Sequence, residues 1–290
     1  MDKFCIITNN SKDSNYDYSN KIKHYLVSKG ASCITDEKET VIESGEEYRY
    51  TNPSNIPDDI QCVITIGGDG TILQAAHDLI NRDVVIIGIN RGNLGYLAVS
   101  ESNGIEQILD NLIDDNFKKE KRMMLQGRIV REGKTVYESV ALNDIIIHRD
   151  GGIRVADYDV SVNNTLLNQY HADGVIVATP TGSTAYNLSA GGPIVEPNAS
   201  LMVLTPICAH SINGRSIVLS SKDVIDIEIG PSRNKKTEGN IVAFDGYCPK
   251  DISLKEGDIV EVWKSELATT LAKMDECSFL QILKDKMGEQ

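Results

Sequence analysis

Short apolar runs alternate with helix-spaced apolar positions through the first hundred residues. KFCIIT at 3–8 predicts a strand, and Ile22, Tyr25 and Leu26 fall at helical spacing in a pattern that stops at Gly30. Ser32 to Thr35 predicts a second strand. Gln61 to Ile66 is the next apolar run, and it empties into Gly67-Gly68-Asp69-Gly70-Thr71 before a helical pattern carried by Ile72, Leu73, Ala75, Ala76 and Leu79. Val84 to Ile89 predicts a further buried strand. Strand and helix thus alternate as in a parallel α/β domain with helices on both faces of its sheet. Residues 36–59, rich in Glu, Ser, Asn and Pro, predict a long exposed loop, a solvated linker or a lid.

After a helix near Ile105 to Leu112 the texture changes. From 121 to 264 the chain is mostly short alternating or apolar runs split by turn residues such as Gly133-Lys134, Gly151-Gly152 and Asn163-Asn164. One helix is predicted there, over Ser183 to Ser189. This half predicts mostly antiparallel strands in two stacked sheets, with Val260, Val262 and Trp263 on a core strand. Phe279, Leu280, Ile282, Leu283 and Met287 again have helical spacing, and their apolar face is expected to dock on the first domain. The expected organisation is an α/β domain of residues 1–100 plus 270–290 and a β-rich domain of residues 101–269.

Charge narrows the choice of partner. Forty-two acidic against 29 basic side chains leave a formal charge of -13, a field that repels nucleic acid unless a basic patch overrides it. The longest basic cluster, Lys118 to Arg122 interrupted by Glu120, predicts the end of a solvated helix. Six cysteines at 5, 33, 62, 208, 248 and 277 form no C-x-x-C pair, and no H-E-x-x-H appears among the histidines. The cysteines read as incidental thiols and the histidines as structural, so no protein metal site is expected. The N-terminus runs straight into a strand, and no window approaches the roughly 18 apolar residues of a membrane helix. A cytoplasmic protein without membrane attachment is the expectation.

Two stretches carry chemistry. A strand that ends in Gly67-Gly68-Asp69-Gly70-Thr71 brings backbone N–H groups to a helix start, where free donors and the dipole attract phosphate. Glycine lets a bulky anion approach. An aspartate there would repel phosphate on its own, so it calls for a role: holding Mg²⁺, or accepting a proton from an attacking hydroxyl. The turn lacks the lysine and spacing of a Walker loop. The second stretch, Asp173 to Tyr186, is a strand delivering a turn that opens a short helix, with Pro180 and Gly182 shaping the turn and Ser183 placed as its cap.

GGDGT at 67–71, GINRGNLGYL at 88–97, LND at 142–144, DGVIVATPTGSTAYNLSAGGPIV at 173–195 and FDG at 244–246 together resemble the bacterial NAD kinase family, over nearly the whole chain. The resemblance implies an α/β N-terminal domain to which the last helix returns, a C-terminal domain of stacked β-sheets, and transfer of the terminal phosphoryl group of ATP, with Mg²⁺, to the 2′-hydroxyl of the NAD adenosine ribose. It implies that Asp69 is the catalytic aspartate, that Gly68 and Gly70 line the phosphate path and that Thr71 belongs to the same site. Asn143 and Asp144 would bind a ribose and phosphate region of NAD. Thr184, Ala185 and Tyr186 would hold the adenine end with Ser189 nearby, and Tyr96 would stack by the adenine. Asp173 and Ala209 would meet the nicotinamide half, from a neighbouring subunit of a homodimer or homotetramer. Position 144 is Asp where the family more often has Glu, Tyr96 replaces a commoner Phe, and Ser216 stands after Asn213-Gly214-Arg215 where Pro is typical. A lipid kinase of the diacylglycerol or sphingosine type shares the GGDGT turn. A silent dinucleotide sensor and, more distantly, a 6-phosphofructokinase are the other rivals.

Overall fold

The computed structural model describes residues 1–9, 12–36, 53–90, 95–100, 104–151, 155–210, 214–231, 239–274 and 278–288. Asn213, Cys277 and residues 37–52 of the acidic loop lie outside them. The chain divides into two compact units, one of Met1–Lys121 with Thr269–Gln290, the other of Arg122–Ala268.

The first unit is built on a parallel sheet. Strands β1 (Lys3–Thr8), β2 (Ser32–Asp36), β3 (Cys62–Ile66) and β4 (Val85–Asn90) lie in the order β2-β1-β3-β4. β1, β3 and β4 are almost wholly buried, which is why they appear in the sequence as unbroken apolar runs. On one face Phe4, Ile6, Ile64, Ile66, Ile87 and Ile89 meet α1 (Asp17–Ser28) and α3 (Ile105–Ile113) through Ile22, Leu26, Ile108 and Leu112. α2 (Asp69–Asp78) covers the other face, and a Cβ at Gly88 would overlap the side chain of its Ile72. Helices thus cover both faces, as expected. The buried carboxylate of Asp13 accepts the N–H groups of Tyr18 and Ser19 and so satisfies free donors at the start of α1.

Two expectations are corrected here. α3 packs on the sheet of the first unit, so that unit runs to Lys121 instead of ending at residue 100. Lys118 to Arg122 opens strand β6 (Lys118–Arg131), not the end of a helix, and Arg122 is buried. The last helix, α5 (Phe279–Gly288), returns to the first unit as expected; Phe279, Ile282 and Leu283 are half-buried on one side of it, and Leu280 and Met287 remain exposed. Cys5, Cys33 and Cys62 are buried in this unit, and burial pushes the Cys33 thiol up to about 11, which keeps it protonated and inert.

The second unit is almost entirely β. β8 (Asp144–Arg149), β11 (Gly174–Ala178), β12 (Leu201–Ile207), β13 (Ile217–Ser220) and β15 (Asn240–Phe244) form an antiparallel sheet in the order β13-β12-β11-β8-β15. β9 (Ala156–Val162), β10 (Thr165–Ala172), β14 (Ile225–Ile229) and the first part of β16 (Ile259–Lys273) form another, and β6 forms a hairpin with β7 (Lys134–Ala141). Ile145, Ile147, Val175 and Val177 of the one sheet pack with Tyr158, Val160, Ile227 and Val260 of the other in one core. The alternate residues Ile176, Ala178 and Val203 face the opposite way, against Val195 and Ala190. Two buried faces explain why β11 is apolar throughout. Val262 joins the core, whereas Trp263 turns outward beneath the Arg128 guanidinium, 5.5 Å from its ring centroid. Among the described residues no helix is long and apolar enough to cross a membrane.

Candidate active site

In the first unit the parallel strands bring the ends of β1 and β3 to one edge, where open α/β sheets bind ligands. Gly67 and Gly68 follow β3 at that edge, and α2 starts at Asp69 with its free amides. Gly67 is needed by the protein itself, since a Cβ there would overlap the hydroxyl of Thr71. Gly68 and Gly70 are different: a Cβ on either would meet nothing within 4 Å. Packing does not demand glycine at 68 and 70, which leaves approach by a ligand as the physical reason for it. Thr71 is buried and its hydroxyl has no hydrogen-bond partner among the described residues, so its place is inside the turn rather than on the ligand side.

Asp69 is clamped. Its Oδ2 accepts the N–H of Tyr96 at 2.9 Å and its Oδ1 the N–H of Leu97 at 3.3 Å. A Cβ at Gly95 would fall inside the same carboxylate, so only glycine fits before the two donors. Among the described residues two of about four acceptor positions on the carboxylate are used. Burial and the Asp69 charge push the Tyr96 phenol upward, which keeps it neutral.

In the second unit the turn 142–144 is the organising feature. Asp245 accepts three backbone N–H groups from it: Leu142 at 2.6 Å, Asn143 at 2.7 Å and Asp144 at 3.1 Å. The Asp245 N–H donates back to the Asp144 carbonyl, and Asp245 adopts φ 51, a left-handed conformation that Asp tolerates better than most residues. From the other side the Thr179 hydroxyl donates to the Leu142 carbonyl at 2.6 Å, and a Cβ at Gly182 would overlap the Asn143 carbonyl. So held, Asn143 keeps its Oδ1 buried without a partner among the described residues, an acceptor set for a donor from outside the chain.

Asp144 is nearly buried, and burial, with the Asp245 charge second, pushes its carboxyl up to about 7. The native chain therefore keeps a proton there that the unfolded chain releases near pH 4. Stability should fall as pH rises from about 4 to about 7, by at most on the order of 4 kcal/mol, and level off above. Asp144→Asn should melt higher than the parent at pH 8 and close to it at pH 4.5. Equal melting temperatures at pH 8 would contradict the assignment.

The expected helix at 183–189 is split into a 3-10 turn at Gly182–Thr184 and the single helical turn α4 (Tyr186–Ser189). Ser183 is not a cap: it is buried, donates to the Pro180 carbonyl and accepts the Val195 N–H. Thr184 donates to the Thr181 carbonyl, while Tyr186 and Ser189 are exposed and Ala185 half-buried. The anchor of this segment is Asn187, which donates to Ser183 and Pro193 carbonyls and accepts from Thr205 at 2.7 Å. The Thr205 hydroxyl also pairs with Ser216 at 2.9 Å, a contact that the proline more usual there would lose.

β11 separates the expected residues into two groups. Asp144 pairs with Ala178 at one end, beside the 181–189 segment. Asp173 and Ala209 stand at the other, where the Asp173 N–H reaches the Ile207 carbonyl, roughly 17 Å away along the strand. Asp173 is ion-paired with Arg149 at 2.8 Å, which lowers its pKa. Sequence reasoning missed Asp245, Asn187 and Gly95 as site residues. FDG at 244–246 and GNLGYL were visible, but the use of Asp245 is set by a turn a hundred positions away.

A helix that opens on accessible glycines with a clamped carboxylate, at the ligand-binding edge of a parallel sheet, and a β unit with a pinned polar turn define a nucleotide-using phosphotransferase. Residues 4–117 match the ATP-NAD kinase N-terminal domain and residues 142–274 the ATP-NAD kinase C-terminal domain. The chain is 39% identical to the NAD kinase of Lachnospira eligens over 300 residues, spanning 99% of this chain and 100% of that protein. It is 39% identical to the NAD kinase of Lachnoclostridium phytofermentans over 292 residues, 100% of each. The chain belongs to the NAD kinase family. Its fold is that of yeast NADH kinase complexed with NADH, at TM-score 0.85 and 24% identity over 99% of this chain and 88% of that one. It also follows an Archaeoglobus fulgidus NAD kinase in complex with ATP, at TM-score 0.75 and 21% identity over 99% and 98%.

Proposed function

We propose that the chain transfers the terminal phosphoryl group of ATP to the 2′-hydroxyl of the adenosine ribose of NAD, with Asp69 polarising that hydroxyl and taking its proton. The observation that carries the assignment is the clamp on Asp69: among the described residues two N–H donors and a glycine fix the carboxylate while leaving acceptor positions open. In a loose phosphoryl transition state most of the acceleration comes from alignment and charge stabilisation, with alignment worth about 7–11 kcal/mol. The amides at the start of α2, past Gly68 and Gly70, receive phosphate oxygens.

Mg²⁺ fits this site as an ion carried on the triphosphate. Among the described residues no three ligating side chains converge, and Mg²⁺ is commonly held by one or two carboxylates plus substrate phosphates, of which Asp69 would supply the carboxylate. Bound there, it would neutralise the phosphate charge.

Asn143 Oδ1 takes a donor from the dinucleotide, and Asp144, once ionised, accepts ribose hydroxyls. Thr184, Ala185, Tyr186 and Ser189 present the surface for the adenine end, with Tyr96 beside it. Asp173 and Ala209 serve the nicotinamide half, in a homodimer or homotetramer whose copies complete each other's sites in the cytoplasm. Incubation with γ-labelled ATP, Mg²⁺ and either NAD, diacylglycerol or fructose 6-phosphate should label NAD alone. Label in the lipid or the sugar would overturn the reading, and binding of NAD without labelling would make the chain a sensor.

A further inference from the structure

The last helix has no fully buried residue, and its half-buried side meets Tyr96, a residue that also holds Asp69. The Tyr96 ring lies 6.5 Å from the Phe279 ring, centroid to centroid and tilted by 43°, and the Lys286 ammonium stands 5.0 Å from the Tyr96 centroid. Phe279 and Lys286 are seven residues apart, so both project from one side of α5, about two turns apart. The backbone N–H of that same Tyr96 donates to Asp69 Oδ2 at 2.9 Å, and its neighbours Gly95 and Leu97 close on the rest of the carboxylate.

We propose that α5 positions the Asp69 carboxylate, with Phe279 and Lys286 fixing the Tyr96 ring and thereby the pair of amides that hold Asp69. They are positioning residues: neither touches the reacting atoms. The energetics allow the role to be separated from stability. Phe279 is only half-buried, and Ile282 and Leu283 share the same side of the helix, so the Phe279 contact can be removed without unfolding the unit. A cation over an aromatic ring at a partly exposed site is a weak contact, enough to bias a short loop but not to hold a domain together.

The inference rests on the catalytic reading of Asp69, and its test has a part that does not. In the full-length chain, Phe279→Ala with Lys286→Ala should speed hydrogen exchange of the Tyr96 and Leu97 amides by about threefold or more and leave the melting temperature within about 2 °C. The same protein should show kcat lowered about two- to tenfold with KM for ATP unchanged. Lys286→Arg, which keeps a cation over the ring, should restore the parent kcat in the presence of Phe279. Adding the double substitution to Tyr96→Ala should lower kcat no further, because the three side chains act as one chain of contact. Unchanged exchange at 96 and 97 in the double variant would overturn the proposal whatever the enzyme's substrate. So would a loss that simply adds to that of Tyr96→Ala. If exchange rises while the parent chain makes no NADP, the strut stands and the catalytic reading falls.

Discussion

Asp69→Asn is expected to lower kcat for NADP formation by about a hundred- to ten-thousandfold, the range that removal of a general base costs, while NAD binding stays within about threefold. The reason is local. Tyr96 and Leu97 donate one N–H to each carboxylate oxygen, and an asparagine can accept with only one of them. The remaining contact and the Gly95 packing keep the side chain near its place, so the turn survives and the proton acceptor is lost. Turnover by Asp69→Asn equal to the parent's would end the role given to this carboxylate. A failure to fold would be seen directly in the melting curve, and Asp69→Glu then keeps the charge as a second probe.

The second large effect is expected at Asp245. Its carboxylate accepts three N–H groups at 2.6, 2.7 and 3.1 Å, bonds to an ionised acceptor and therefore the strong kind. Asp245→Ala should cost about 3–5 kcal/mol of stability, read from urea unfolding, because three donors lose one acceptor and alanine fits the left-handed backbone poorly. Asp245→Asn should cost less, keeping an oxygen for the turn and tolerating the backbone. It should also let the Asp144 carboxyl fall from about 7 towards the ordinary carboxylate range, since the Asp245 charge is one of the two causes of the shift. The pH-dependent loss of stability between about 4 and 7 should then shrink. Asp245→Ala within about 1 kcal/mol of the parent would show that Thr179 and Gly182 hold the turn alone.

Much of this fold was legible from spacing. Strands β1, β3 and β4 of the first unit appear as apolar runs because both faces of the sheet are covered, and α1, α2 and α3 show their apolar stripes in Ile22 and Leu26, Ile72 and Ala76, Ile108 and Leu112. The failures share a cause: each depended on a distant partner. Lys118 to Arg122 looks like a solvated helix end because its charges hide a strand, one of whose neighbours, β16, lies far along the chain. The Ser183 to Ser189 helix is interrupted because the Ser183 hydroxyl and the Asn187 amide are drawn to backbone groups of residues 193–195 and of Pro180, which short-range capping rules do not see.

The site was legible in its parts and less so in its arrangement. GGDGT announces phosphate and a carboxylate in one turn, and its two unneeded glycines make the same statement in the structure. LND at 142–144 gives no hint of why its backbone must be rigid. The reason lies in Asp245 and Thr179, at separations that no local pattern encodes. Gly95 is similar, a glycine chosen by the Asp69 carboxylate that presses on it.

The chemistry itself is tested most directly by where the phosphate goes. The purified chain, given Mg²⁺, NAD and ATP, should yield a dinucleotide whose new resonance in the phosphorus NMR spectrum is a monoester on the 2′-oxygen of the adenosine ribose, formed one for one with ADP. A product phosphorylated elsewhere on NAD, or ADP appearing with the dinucleotide unchanged, would contradict the account.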